Sequence, residues 1–269
     1  MSGLRKLMVC LSGNRAAQDF LESIIQKTME LTGVGSGGDV TESGETAVIG
    51  KLKQLLSPPY CIFDVGANQG QFFNLLISNI KVDQYKIHCF EPSAHTFGIL
   101  TANVKENPNV VLNNFGLGKE TGEFELYYNT PGTGIASLTK RRLDHFNIDF
   151  SKSEQVRIKT LDNYCDENGI STIDLLKIDV EGHELDVLLS GSKKMFAHNA
   201  IKMVSFEFGG CNIDTKTFFQ DFFYFFKDVG MDLFRITPSG YLYPLTEYRE
   251  VLEQFRTTNF LATHKSLSL

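Results

Sequence analysis

Apolar positions first follow a helical rhythm. Between residues 14 and 32 they fall at Phe20, Leu21, Ile24, Ile25, Met29 and Leu31, the three-and-four spacing of one helix face. Gly33-Val34-Gly35-Ser36-Gly37-Gly38 interrupts that face and reads as a flexible stretch. A second helical pattern runs from about Ala47 to Leu56 and is stopped by Pro58-Pro59. From residue 60 the rhythm changes. Short apolar runs at 60–65, 85–90, 109–112, 173–178, 201–207 and 231–236 read as strands. Helical patterns lie between them, near 70–79, 93–106, 160–168, 183–190 and 214–229. This alternation predicts an α/β fold, a mostly parallel sheet with helices on both faces. The segment 113–158 breaks it. There 121–129 (TGEFELYYN) reads as a hairpin, and Pro131, Gly132 and Gly134 mark a loop, so the segment reads as an insertion over the sheet edge or the mouth of a site. Residues 240–243 and 257–263 predict late antiparallel strands. Residues 1–56 read as a helical N-terminal extension with a glycine-rich linker, and 57–269 as the main domain. The run FFQDFFYFF at 218–226 reads as an amphipathic helix whose phenylalanine face packs on the sheet. A dimer surface is the other use of such a face, so a homo-oligomer is compatible with the chain.

Composition narrows the class. Hydrophobic residues at 42% and charged residues at 22% describe a globular chain. A net charge of −6 lacks the basic footprint of a nucleic-acid binder. No apolar run approaches the roughly 20 residues that span a bilayer, and the run Leu7–Leu11 is too short for a signal-peptide core. The five cysteines are scattered, odd in number and never spaced C-x-x-C, which argues against a disulfide framework or a zinc site. A reducing cytoplasm is the expected setting.

Three segments carry chemistry. In FDVGANQG (63–70) an apolar strand breaks into a turn with Gly66 and Gly70. Ligands of open α/β sheets bind outside the carboxyl ends of the strands, so this first turn is a ligand contact. It is not a dinucleotide fingerprint, because Asn68 stands where the second glycine would be, and it is not a P-loop. Asp64 would repel phosphate but suits a cation or a bound water. Glu91, in HCFEPSAHTF, ends the second strand 21 residues after Gly70, the spacing of an acid that accepts from a ribose diol. Pro92 ends that strand and Ser93 is a fit N-cap for the next helix. A nucleoside with no phosphates and a positive charge satisfies both sites, and S-adenosylmethionine is such a cofactor.

The third segment is IDLLKIDVEGHELDVLLSG (173–191). Lys177 sits inside a strand and needs acidic partners. Asp179 and Glu181 lie two apart and, in extended backbone, point the same way. With His183 they form a concentrated polar site that can act as general base, orient an acceptor hydroxyl or hold a divalent metal. The plainer reading is that Glu181 and Glu184 favour the positive end of the helix that follows.

Together FDVGANQGQF, FEPSAHTF and LLKIDVEGHELDVLLSG resemble the FkbM family of class I S-adenosylmethionine-dependent methyltransferases. The resemblance covers roughly 60–210, including NNFGLGKETGEFELY and IKTLDNYCDENGISTIDLLKID, and leaves 1–56 outside it. It implies a Rossmann-like, seven-strand sheet with a reversed final strand. It implies methyl transfer to a hydroxyl of a sugar, polyketide or other small metabolite. By position, Asp64, Gly66, Asn68 and Gly70 would line the methionine end of the cofactor and Glu91 would hold the ribose. The turn Asn114–Gly118, with Asn114 and Gly116, would lie near adenine, and Asp179 and Glu181 by the transferred methyl. Ser137, with Gly132, resembles the family's small-residue segment at the active-site mouth.

The remaining polar features are less defined. Lys140-Arg141-Arg142 is either a solvated loop or a contact for an anionic substrate. Glu207 ends the fifth strand on the pocket side, where it would place the acceptor or a metal. The lone His145 reads as incidental. The expected function is O-methylation of a small-molecule or saccharide acceptor, with Asp179 as base or metal ligand and Glu181 and His183 as alternates. Two other classes remain: a methyltransferase fold kept as a non-catalytic interaction module, and a nicotinamide-dependent oxidoreductase, against which the missing glycine counts.

Overall fold

The computed structural model describes residues 5, 9–38, 43–104 and 107–267. The tail of the 93–106 helical pattern at 105–106, and the start of the apolar run at Leu7 and Met8, lie outside the described residues. The chain opens on helices α1 (Arg15–Leu31) and α2 (Thr46–Leu55). Then come β1 (Tyr60–Val65), α3 (Gln71–Ile77), β2 (Tyr85–Phe90), α4 (Ala94–Val104) and β3 (Val110–Asn113). The interruption holds β4 (Gly116–Leu117), β5 (Gly122–Tyr128) and β6 (Lys152–Lys159). The chain resumes with α5 (Leu161–Asn168), β7 (Leu175–Ile178), α6 (Glu184–Leu189), α7 (Lys193–Ala197) and β8 (Met203–Phe208). It closes through α8 (Cys211–Thr215), α9 (Phe219–Asp228), β9 (Met231–Ile236), β10 (Leu242–Pro244) and β11 (Thr258–His264).

The main sheet has eight strands in the order β10-β9-β11-β8-β7-β1-β2-β3. From β3 to β8 every pairing is parallel. β11 runs antiparallel to both its neighbours, β8 and β9, which is the reversed final strand the sequence predicts. The count is eight rather than seven because residues 242–244 add an edge strand to β9. Strand order reverses at β1, which lies between β2 and β7, so the carboxyl ends there open into a crevice.

Alternating side chains of the strands feed two cores. Phe63, Val65, Leu176, Ile178, Val204 and Phe206 face one layer, built with α5, α6, α7 and α9. Ile62, Ile87, Leu175 and Met203 face the other, covered by α2, α3 and α4. Helices therefore coat both faces, as a buried parallel sheet requires. The phenylalanine run does fill the core. Phe219, Phe222, Phe223 and Phe226 are buried, and the Phe222 ring stacks on Phe206 with centroids 4.9 Å apart.

Two local expectations are corrected. Residues 121–129 do not form a hairpin: β5 is one strand, and its antiparallel partner is β6, across the loop 129–151. Its apolar face is the reason, since Leu126 needs Val156 and Ile158 to form a small satellite core. The glycine stretch is not a free linker. Val34 is buried, and the Gly35 and Gly37 N–H groups donate to the Thr257 carbonyl at 3.0 and 3.1 Å. A Cβ on Gly33 would lie 2.2 Å from the Ile236 carbonyl oxygen, so the glycines permit close backbone approach. α1 behaves differently: none of its residues is buried.

Phe222→Ala removes a stacked, fully buried ring. It is expected to cost about 3–5 kcal/mol, read as a lower urea midpoint. A loss under about 1 kcal/mol would contradict the packing described.

Candidate active site

Strand register assembles the site. On the face covered by α2 and α3, Asp64 of β1 stands opposite Lys177 of β7, and Lys177 opposite Ser205 of β8. Two residues further on, the same face carries Asp179, Glu207 and Asn259, with Glu207 directly opposite Asn259 in the β8–β11 pairing. Six polar side chains thus crowd the carboxyl ends of adjacent strands, at the crevice. Glu45, buried just before α2, reaches the same space from the N-terminal segment.

Lys177 is the hub. Its Nζ lies 3.5 Å from Asp64 Oδ1 and 3.3 Å from Asp179 Oδ2, the acidic partners the sequence requires. Burial alone would lower its pKa, but Asp179, Asp64 and Glu45 reverse that and raise it, so the ammonium stays charged. Burial raises the carboxyl of Asp64 against the pull of Lys177. Asp64 is fully buried and neither of its oxygens has a hydrogen-bond partner; the contact to Lys177 is an ion pair at long range.

The first turn is held by backbone. Gly66, at φ 79°, passes so close to the end of β7 that a Cβ would lie 1.8 Å from the Asp179 carbonyl oxygen. Its role is therefore strand crossing, beyond any ligand approach. Gly70 adopts φ 94° just before α3. Asn68 also takes a left-handed φ of 47°, and its buried Oδ1 is unpartnered. Glu91 accepts the Asn68 N–H and the Ser93 N–H, both at 3.0 Å. Burial is the main reason its carboxyl is pushed up to about 7, against those two donors. Ser93 turns its hydroxyl to Glu154 at 2.7 Å, not to the helix end. Asn114 donates its amide to the carbonyls of Glu91 and Pro92 at 3.1 and 3.2 Å, bracing the β2 turn.

The third segment is a tight, internally bonded turn. Glu184 is fully buried and accepts from the Val180 and Gly182 N–H groups at 3.0 and 3.1 Å. Through these N–H groups it holds the turn that precedes the helix. Glu181 sits at φ 54° and binds Arg141 at 2.7 Å. Burial, then the charge of Asp179, pushes its carboxyl up to about 8. His183 spends both ring nitrogens, one 2.8 Å from Asp186 Oδ2 and the other 2.9 Å from Thr139 Oγ1. Asp179 is the least enclosed of the three, with its side chain 38% exposed.

The loop 129–151 is clasped over this turn. The Ser137 hydroxyl donates to the Glu181 carbonyl at 2.8 Å. Arg141 bridges Glu181 and Asp214, so it is neither solvated nor free for an anion, whereas Arg142 is exposed and pairs with Asp144. His145 is exposed, and its ring lies tilted at 44° against Phe146, centroids 4.2 Å apart.

Two cavities meet here. The larger, about 1050 Å³, reaches Glu45, Lys177, Glu207, Arg141 and Asn259. The smaller, about 80 Å³, is walled by Glu91, Gly116, Leu126, Leu138, Ile158 and His183. Both are lined by Gly66, Asn68, Gly134, Asp179 and Glu181. The smaller one is below the size of usual ligand pockets, about 300–1,000 Å³, so a nucleoside would enter only if the 129–151 loop moved. Asp64, Gly70, Asn114 and Ser137 line neither cavity. Among the described residues, no group of three or more His, Cys, Asp and Glu side chains is arranged to hold a metal ion, and no helix is long and apolar enough to cross a membrane. Sequence reasoning missed Glu45 and Asn259. Nothing flagged Glu45, but Asn259 is the one amide in the strand-like run TTNFLAT.

The fold and site define a Rossmann-like α/β protein with a ligand crevice at the strand switch point. The methyltransferase FkbM domain family matches residues 64–233, and the chain belongs to that family. A hexuronic acid methyltransferase, AglP of Haloferax volcanii, is 28% identical over 166 residues, covering 61% of this chain and 60% of that protein. A 2-O-methyltransferase, NoeI of Sinorhizobium fredii, is 24% identical over 151 residues, covering 52% of this chain and 61% of that one. The chain thus matches less than two thirds of the length of either relative. The crystal structure of methyltransferase FkbM from Methylobacillus flagellatus superposes with a TM-score of 0.44 at 12% identity, over 91% of this chain and 60% of that one.

A carboxyl that ionises less readily folded than unfolded binds its proton more tightly in the folded state. Glu91 therefore favours folding below its unfolded value near 4.5 and ceases to as pH rises past about 7. Glu91→Gln removes this dependence. Its melting temperature relative to wild type is expected to rise between pH 5 and pH 8 in calorimetry. A pH-independent difference would contradict the burial argument.

Proposed function

We propose that the protein is an S-adenosylmethionine-dependent O-methyltransferase acting on a hydroxyl of a sugar, polysaccharide or other small metabolite. The observation that carries this reading is the meeting of two cavities at Gly66, Asn68, Asp179 and Glu181. The larger cavity has room for an acceptor, the smaller would take the nucleoside side once the 129–151 loop is displaced, and the reacting atoms would meet at the junction. The residues fit the cofactor's chemistry. The buried Asp64 oxygens and Asn68 Oδ1 have no hydrogen-bond donor, and the local acids outnumber Lys177 and Arg141, so a cationic group is favoured.

On this reading Asp64, Gly66, Asn68 and Gly70 shape the methionine end, Glu91 accepts from the ribose diol, and Asn114 and Gly116 border adenine. The apolar wall of Leu126, Leu138 and Ile158 excludes water from that side. When bound, S-adenosylmethionine supplies an electrophilic methyl carbon on a positively charged sulfur. Asp179, the most accessible acid of its turn, accepts the proton of the acceptor hydroxyl as its oxygen attacks. Lys177, 3.3 Å from that carboxylate, fixes its orientation. Much of the rate would then come from alignment, which can supply several kcal/mol. Glu181 and His183 are tied to Arg141, Thr139 and Asp186, so they act by holding the junction. Ser137 secures the loop over it, and Glu207 faces the acceptor.

The reading takes 57–269 as the class I methyltransferase domain, 113–158 as its active-site cover and 1–56 as a helical extension. It places the chain in the cytoplasm with no nucleic-acid partner.

Asp179→Asn is expected to retain S-adenosylhomocysteine binding and to lose at least about a hundredfold in turnover, the scale of general-base catalysis. Unchanged turnover would remove Asp179 from this role. Glu91→Ala is expected to weaken S-adenosylhomocysteine at least tenfold in calorimetry, since a charged hydrogen bond is worth about 1.5–3 kcal/mol. Wild-type affinity would contradict the ribose assignment.

A further inference from the structure

The reversed strand β11 brings one more polar residue to the crevice. Asn259 lies beyond the family match at 64–233 and faces Glu207 across the β8–β11 pairing. Directly opposed residues share a face, with Cβ atoms about 4.5–5.5 Å apart. Asn259 is 7% exposed, its Nδ2 has no hydrogen-bond partner, and it lines the 1050 Å³ cavity together with Glu207. A buried amide nitrogen without a protein partner is costly, and at the wall of a cavity its acceptor comes from water or from a bound ligand.

We propose that Asn259 and Glu207 form an acceptor-recognition pair that holds a hydroxyl beside the one methylated: the amide donates to its oxygen and the carboxyl accepts its proton. The inference rests on the methyltransferase reading above and specifies what the larger cavity recognises. Two features favour a neutral, polyhydroxylated ligand over an ammonium or a phosphate. The cations of the cavity are already engaged, Arg141 with Glu181 and Lys177 with Asp64 and Asp179, which leaves neither free for a phosphate. Burial, and then the charges of Asp179, Glu181 and Glu184, hold Glu207 toward its neutral form. A carboxamide beside a neutral carboxyl presents hydrogen bonds without net charge, which matches adjacent hydroxyls on a ring.

Glu45 closes the opposite wall of the same cavity. It is buried and accepts the Ser43 hydroxyl at 2.9 Å. The N-terminal segment bearing it is bonded to Thr257, two residues before Asn259. Glu45 and Asn259 both lie outside the family match at 64–233.

The test uses the full chain, tritiated S-adenosylmethionine and the host's own small-molecule and polysaccharide extract as probe. Asn259→Ala is expected to need at least tenfold more extract for half-maximal label transfer, with the limiting rate and S-adenosylhomocysteine affinity within twofold of wild type. Asn259→Leu, which keeps the shape and removes the donor, should show the same split and melt at or above wild type, since it replaces an unpartnered buried amide nitrogen. Glu207→Gln should show a smaller loss. Half-saturation within twofold of wild type in both Asn259 variants overturns the recognition pair. Failure of the wild-type chain to bind S-adenosylhomocysteine or to transfer label would instead overturn the underlying methyltransferase reading.

Discussion

The site depends on one buried cation. Lys177 stands within the sheet between Asp64 and Asp179, and without it two carboxylates would share a dry space. Removing one partner of such a group typically costs 3–5 kcal/mol, because the remaining charge stays buried. Lys177 therefore fixes which carboxylates can gather at the strand ends. Once it is in place, Asp179, Glu207, Glu181 and Glu45 can stand around the crevice, most of them held toward their neutral forms by burial. The crevice gains acidity without an unpaired charge in the core.

Around that hub the chain closes from two sides. The loop 129–151 is bound to the Asp179–Glu184 turn by Ser137, Thr139 and Arg141. It narrows the cavity beside Glu91 to about 80 Å³. The N-terminal glycine segment is bonded to Thr257 and brings Glu45 to the other cavity. The 129–151 loop lines both cavities, which share Gly66, Asn68, Gly134, Asp179 and Glu181, while the N-terminal segment reaches only the larger one.

Much of this was legible before any coordinates. Period-two and period-3.6 patterns located the strands and helices because each element buries one face. Lys177 announced its partners, since a lysine inside an apolar strand cannot stay unpaired. The motifs at 63–70, 88–97 and 173–191 located the crevice because their acids fall at strand ends. What remained hidden depends on tertiary register. Asn259 matters only because β11 runs backwards and puts it opposite Glu207. Glu45 is an ordinary acid until the glycine segment docks. Arg141 looked like one of three surface cations until the loop turned it onto Glu181. The strand at 122–128 was taken for a hairpin because a satellite core formed with distant residues leaves no local signature.

The central claim is that a buried row of acids, balanced by Lys177, is prepared for a cationic nucleoside. It is tested most directly by titrating S-adenosylmethionine into the wild-type protein at pH 7 in buffers of different ionisation enthalpy. A positive charge beside the Glu181 carboxyl, pushed up to about 8 by burial, favours its ionised form. The account predicts binding with a net release of protons to the buffer. Absence of binding, or binding with proton uptake, would contradict it.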